Sequence, residues 1–347
     1  MVKIAIVGGS SNVGSEVHDA LVARGKHEII LLSRKDAPAQ KLAPGVQWVK
    51  TNYEIAHLTK IIGGVETVLS FVSGPADPTN TSQSDTQKNL IDACIQAGVK
   101  RFAPSEWATS KFDHLFWYSF KQVTRDYLAE VNKKKKVRIL PGVILKVSTH
   151  KMQVLEYCLF QPGLFTNYLT YPFSSSKHVT QLETPVDFNQ CRALVVDGGE
   201  DVPLTFTIAQ DLARVVALAV EYEGEWPHVG GIKGSEITMG QLIALGERIR
   251  GKPFAVEKLK KEDLEAGKVT SSWTLEVKHP SIPPETRKAV ASSLLSGILL
   301  GFSAGCFNTS SEWNQLLPDF KFTPPEEFLS QAWKSIDAGE DVVFDKY

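Results

Sequence analysis

The chain has 347 residues, 43% of them apolar and 22% charged, with a formal charge of −1 at neutral pH. That composition is globular and excludes collagen-like, low-complexity and disordered chains, and the length exceeds the roughly 250–300 residues at which single cores stop growing. A charge so close to zero offers no basic surface to nucleic acid or to an anionic membrane, so small-molecule chemistry is expected.

Short apolar runs alternate with helical periodicity up to about residue 130, which is the pattern of βαβ units around a parallel sheet. Strands are predicted at Lys3–Val7, Glu28–Leu32, Val46–Lys50, Glu66–Val72 and Lys100–Ala103, with a sixth at Val154–Phe160 ending at Gln161-Pro-Gly163. Val13, Val17 and Leu21 recur at helical spacing, as do Leu90, Ala93, Cys94 and Ala97. Beyond residue 160 the order is irregular, with Ser, Thr and Pro concentrated in Pro172–Pro185. A helix is predicted with Asp211 as N-cap, running through Leu212, Val215, Val216 and Ala219. Three more are predicted near Gly240–Arg250, Pro284–Leu300 and Pro325–Ile336. The fold class that follows is α/β, a Rossmann-like doubly wound parallel sheet with a smaller C-terminal α/β substrate domain. Residues 1–160 would form the dinucleotide-binding part, its sheet completed by about 203–230, and 161–347 mainly the substrate part.

The chemistry begins at Val7-Gly-Gly-Ser-Ser-Asn-Val-Gly14, a turn between the first strand and the first helix. Backbone N–H groups and the helix dipole both favour an anion there, so Gly8, Ser10, Ser11, Asn12 and Val13 are expected around a pyrophosphate. Gly8 permits the tight turn and Gly14 close packing of helix on strand. Ser11 stands where the extended GxxGxxG pattern has its middle glycine. At the end of the second strand, Arg34 and Lys35 occupy the place where an NAD-binding chain presents Asp or Glu to the ribose 2′-hydroxyl. Two cations there pair with a 2′-phosphate, so NADP(H) is the expected cofactor.

Further strand ends point toward the same crevice. Phe71 and Val72 lie at the C-terminal end of the fourth strand, and Arg101-Phe-Ala-Pro-Ser-Glu-Trp107 leaves the sheet at the end of the fifth, leading into an aromatic-rich stretch from Phe112 to Phe120. Lys121 then opens a helix. These pieces, with Arg34, Arg125, Phe160-Gln-Pro-Gly-Leu-Phe165, Asn167-Tyr168 and Asp211-Leu-Ala-Arg-Val215, resemble the NmrA-like and isoflavone-reductase-like family of atypical short-chain dehydrogenases, its fungal members above all. The resemblance spreads over most of the chain. It implies an NADP-binding domain, a smaller substrate domain, a site in the cleft between them, and Lys121 as catalytic acid or base.

A lysine beside a nicotinamide and an aromatic wall is partly desolvated, which brings its pKa toward the useful range. Ser105 and Glu106 either hold the nicotinamide side, orient Lys121 or form a plain helix entry. Pro162 and Phe165 complete the expected cofactor contacts, Trp107, Phe116 and Trp117 are expected in the substrate pocket, and Phe165, Tyr168 and Tyr171 either wall that pocket or belong to the core. Tyr118 stands three residues before Lys121, a spacing unlike the Tyr-x-x-x-Lys of ordinary short-chain dehydrogenases, and is given no proton-donor role. The stretch between Glu106 and Lys121 is shorter than in plant reductases, and Val137–His150 is additional to the family pattern.

The expected activity is NADPH-dependent reduction of a small, largely apolar aromatic or heterocyclic secondary metabolite such as an indole alkaloid. Two alternatives are a redox-neutral cyclase or isomerase using the same cofactor and an NADP-sensing regulator that binds a protein. Cys94, Cys158, Cys191 and Cys306 lack CxxC spacing and read as reduced thiols with no metal to hold. Met1–Val7 enters a strand pattern directly, and no run reaches the roughly 18 apolar residues of a membrane span, so a cytoplasmic monomer or homodimer with no membrane partner is expected.

Overall fold

The computed structural model describes residues 1–10, 12–72, 81–134, 154–276 and 285–342. Ser11 and the additional segment 137–150 lie outside these residues. The first half of the chain gives β1 (Lys3–Val7), α1 (Asn12–Ala23), β2 (Glu28–Ser33), β3 (Val46–Lys50), α2 (Ile55–Ile61), β4 (Thr67–Ser70), α3 (Ser82–Ala97), β5 (Arg101–Ala103), α4 (Ser119–Lys134) and β6 (Glu156–Tyr157). The six strands form one sheet in the order β3-β2-β1-β4-β5-β6, every pair parallel.

Side chains alternate across that sheet, and both faces are covered. Ile4, Ile6, Ile29, Leu31 and Leu69 belong to the core beneath α1, whereas Ala5, Val7, Ile30, Leu32 and Val68 pack with Leu90, Ile91 and Cys94 of α3. Burial on both faces explains why these strands read as unbroken apolar runs rather than alternating ones.

The second half adds β7 (Leu159–Gln161), β8 (Leu164–Phe165), β9 (Val186–Asp187), β10 (Arg192–Val196), β11 (Pro203–Thr207), α5 (Ala209–Glu221), β12 (Val229–Gly231), β13 (Ser235–Thr238), α6 (Met239–Arg250), β14 (Ala255–Leu259), α7 (Lys261–Glu265), α8 (Arg287–Ser303), α9 (Glu312–Leu316) and α10 (Pro325–Asp337). Its strands make small sheets, β14-β10-β9, β13-β11-β8 and β12-β7. A separate core, including Phe188, Phe206, Phe302 and Trp333, lies among them. No helix among the described residues is long and apolar enough to cross a membrane.

Four sequence expectations are corrected. The predicted strand 154–160 is two strands, because Cys158 N–H still donates to Phe102 on β5 (3.1 Å) while Leu159 N–H turns to His228 (2.9 Å). The segment 203–230 does not complete the large sheet: β11 pairs with β13 and β8, and α5 packs on α1. Asp211 is not the N-cap of α5, which starts at Ala209 after Ile208. The side-chain oxygen of Asn167 accepts from Ala209 N–H at 2.8 Å, so a distant residue satisfies the first orphan donor. Asp211 lies buried in the first turn, where its carboxylate accepts from Thr323 N–H at 2.7 Å and pairs with Arg214. Helix α8 also runs Arg287–Ser303, later than the predicted 284–300.

Candidate active site

The turn after β1 sits at the point of the sheet where the chain departs in opposite directions from β1 and β4, the place where open α/β sheets bind ligands. Gly8 has φ +75°, and a Cβ on it would stand 2.9 Å from the carbonyl oxygen of Phe71. A Cβ on Gly9 would meet Leu31 Cδ2 at 2.7 Å and Ile6 Cγ2 at 2.9 Å. Side chains at these two positions would push the turn off the sheet, so the glycines hold the backbone close to the strand ends. Ser15 Oγ donates to Gly9 O at 3.1 Å and braces the turn from within α1. The first turn of α1 holds no acidic residue, which leaves the positive end of its dipole uncancelled by side chains. Ser10 is exposed, and Asn12 at the helix start accepts from Thr180 Oγ1 at 2.9 Å. One turn on, buried Glu16 accepts from His178 N–H at 2.7 Å, so the segment before Thr180 is strapped across α1.

Arg34 and Lys35 are both exposed just past β2. The nearest acid in sequence, Asp36, is taken by Lys50 at 2.7 Å, which leaves the two cations available to an anion. Arg34 lies 6.0 Å from the ring centre of Tyr53, whose backbone adopts φ +61°. A guanidinium beside an aromatic ring at this strand end can pair with a phosphate while the ring offers a face to a base.

Lys121 is buried at 6% exposure near the start of α4. Its Nζ donates to Ser105 O at 3.1 Å and to Glu106 O, both just beyond β5. Its ammonium also stands 4.6 Å from the ring centre of Tyr118. Burial pulls the Lys121 pKa down to about 8, opposed by the Glu106 carboxylate and aided by the Arg125 cation. Glu106 itself is 1% exposed and is held by Arg125 at 2.6 Å. Burial raises the phenols of Tyr118 and Tyr168, so both stay neutral at physiological pH.

Trp107, expected in the substrate pocket, packs instead in the core. Its ring stacks between Phe71 (4.3 Å) and Phe160 (5.3 Å), and its indole N–H donates to Ser70 O at 2.7 Å. Phe160 stacks in turn on Trp313 of α9 at 5.5 Å, so a column of rings runs under the ends of β4, β5 and β7. Val72 is buried beside Phe71, and Pro162 offers its carbonyl to Thr207 Oγ1 at 2.8 Å.

Phe165 and Tyr168 line a narrow apolar crevice together with Phe206, Met239, Leu242 and Phe302, with a free volume of about 10 Å³, room for about one water. Tyr171 lines an adjoining surface crevice that Tyr168 shares, and its hydroxyl donates to Glu276 at 2.7 Å. Phe116 is exposed, and Trp117 packs over Gly297 of α8. Thus Lys121, Tyr118, Ser105 and Glu106 come together, Phe165 and Tyr168 join a crevice, and Arg34 and Lys35 stand apart past β2. Sequence reading missed the crevice walls contributed by α6 and α8, the strap at Thr180 and the clamp at Arg125. Only the last carries a local signal, its place four residues after Lys121 on one helical face.

Residues 8–179 match a family model described as NAD(P)H-binding. Oxidoreductase swnN of Metarhizium robertsii is 24% identical over 344 residues, covering 96% of this chain and 98% of its own. The structure of AtPrR2 with NADP+ and (+)pinoresinol matches with a TM-score of 0.64 at 16% identity, over 95% of this chain and 98% of that one. Isoflavone reductase matches at 0.62 and 16% identity, over 95% and 98%. The structural likenesses cover nearly the whole chain and show its fold, the doubly wound sheet together with the smaller sheets of the second half.

Proposed function

We propose that this chain, which belongs to the NAD(P)H-binding family, is an NADPH-dependent reductase of a small, largely apolar aromatic or heterocyclic substrate, with Lys121 as its acid. The observation that carries the reading is the buried amine of Lys121 beyond β5, on the side of the sheet where the glycine turn and the Phe71 strand end converge. Gly8, Gly9 and the start of α1 fit a pyrophosphate, and Arg34 with Lys35 fit a 2′-phosphate, which favours NADP(H) over NAD(H).

When bound, the cofactor supplies a hydride to an electrophilic C=C, C=N or C=O. Lys121 supplies the balancing proton. An ammonium has three N–H donors, and two are fixed on Ser105 O and Glu106 O, so the third is the one free to move to substrate. The neutral amine left behind keeps both carbonyl bonds and offers its lone pair for reprotonation. A pKa near 8 keeps the group charged at neutral pH yet willing to part with the proton. The apolar crevice walled by Phe165 and Tyr168 would have to part to admit a substrate, its walls suit a flat apolar one, and an indole-type alkaloid is the class proposed.

The test incubates the full chain with NADPH and a panel of indole and phenolic substrates, following cofactor absorbance and product together. Consumption of NADPH matched by reduced product, and lost on Lys121→Ala, supports the reading. Product without net NADPH consumption would replace it with a redox-neutral isomerase. Full activity in Lys121→Ala would remove the lysine from the mechanism.

A further inference from the structure

Lys121 and Arg125 are one helical turn apart on α4, and both reach the loop 105–110 that follows β5. Arg125 spends its fork on that loop: Nε donates to Glu106 Oε1 at 3.1 Å, Nη2 to Glu106 Oε2 at 2.6 Å and to Thr109 O at 3.3 Å, and Nη1 to Ser110 O at 3.1 Å. Its guanidinium carbon lies 4.0 Å from the centre of the Phe112 ring, which closes the remaining side. The loop so clamped is the one whose carbonyls at Ser105 and Glu106 hold the Lys121 amine. The same two side chains act on that amine with opposite sign, and the neutral rings of Tyr118 and Phe120 lie 4.6 and 5.5 Å from it.

We infer that Arg125 and Glu106 are a positioning pair that aims the Lys121 amine through the loop carbonyls and balances its charge state. The pair acts through the Lys121 amine and not on substrate or cofactor, and the inference rests on the reading of Lys121 as the acid. A purely structural ion pair would stiffen the loop and nothing more. A pair that governs the amine has a signature: removing the cation favours the protonated lysine, and removing the anion disfavours it, so the two neutralising substitutions displace its titration in opposite directions.

The experiment compares wild type, Arg125→Gln, Glu106→Gln and Arg125→Lys as NADP+-bound full chains. The titration of Lys121 is read directly, from the pH dependence of its acetylation by trace acetic anhydride and peptide mass spectrometry, and separately from the pH profile of kcat. The labelling midpoint is expected to rise by about one pH unit in Arg125→Gln and to fall by about one in Glu106→Gln. In Arg125→Lys the charge survives and the fork does not, so the midpoint stays near that of wild type while kcat drops roughly tenfold through poorer aim. Midpoints that stay put or move the same way overturn the inference. If Arg125→Gln does not fold, Glu106→Gln and Arg125→Lys still decide it. Opposite labelling shifts with an unmoved kcat profile would uphold the pair and remove Lys121 from the role of acid, which separates the two failures.

Discussion

Gly8 lies against Phe71 so closely that the space for a Cβ is already filled by the Phe71 carbonyl, 2.9 Å from where that carbon would stand. The left-handed φ of +75° adds a second reason for glycine there. Gly8→Ala is therefore expected to lift the turn off β4, lowering the melting temperature by several degrees and weakening NADPH binding at least tenfold. Thermal melts and a cofactor fluorescence titration read the two effects separately. Unchanged affinity would mean that the turn does not hold the cofactor.

On the function proposed, Arg34 bears on the 2′-phosphate alone. Arg34→Ala is expected to weaken NADPH binding by about 10- to 100-fold, corresponding to a charge-assisted contact of roughly 1.5–3 kcal/mol, while NADH binding changes little. Isothermal titration with both cofactors checks it, and equal losses for the two would place the arginine elsewhere than on the 2′-phosphate.

Burial of Lys121 makes stability depend on pH in a defined direction. In the folded chain the amine loses its proton near pH 8, whereas unfolded it keeps it to the ordinary value of 10.5. Between those limits the unfolded state binds more protons, so raising the pH stabilises the fold relative to a chain without the lysine. The stability difference between wild type and Lys121→Met is expected to move toward wild type by ~2–3 kcal/mol from pH 8 to pH 10.5, at about 1.4 kcal/mol per pH unit. Below pH 8 the difference is flat. Urea unfolding of both proteins across this range measures it, and parallel curves would mean that the amine is not desolvated.

Arg101 is 2% exposed and joins β5 to the end of α5. It donates to the carbonyl of Tyr222 at 2.6 Å and of Gly224 at 2.5 Å, pairs with Glu156 at 3.2 Å and lies 5.2 Å from the centre of the Trp226 ring. Arg101→Met removes the donor to two half-buried carbonyls and leaves the Glu156 carboxylate with the Trp226 N–H but without its counter-charge, and is expected to cost about 3–5 kcal/mol. Lysine at this position restores the charge without the fork and recovers only part of that loss.

The strands β1 to β5 were legible because a sheet covered on both faces needs apolar residues at every position and polar turns at each end. Ile4–Val7 of β1 and Ile29–Leu32 of β2 carry that pattern without interruption, whereas the edge strand β3 is mixed. The division between β6 and β7 was not legible, since the backbone changes partners between Cys158 and Leu159 within one apolar run. The start of α5 misled for a related reason: Asp211 has the chemistry of a cap, but Asn167, far off in sequence, performs it.

The site divides along the same line. Gly8, Arg34 and Lys121 stand at strand or helix ends that local pattern can find. The partner that anchors Arg125 is Glu106, 19 residues back, and the wall beside Tyr168 comes from Met239, Leu242 and Phe302. Such pairs exist only once the chain has closed on itself. Trp107 illustrates the converse, an aromatic next to the site by sequence and within the core by packing.

Helix α5 has one more implication. Its residues Leu212, Val215, Val216 and Ala219 share a core with Ile4, Ile6, Val17 and Leu21 from the opposite end of the chain. Synthesis must therefore pass residue 221 before the first βα unit is covered, and a nascent chain held at 200 residues would carry an open apolar face. The cofactor half of the molecule is continuous as a sheet yet discontinuous as a unit of folding. Truncation at the apparent domain border should give inclusion bodies, and adding the 209–221 helix back in trans should restore solubility.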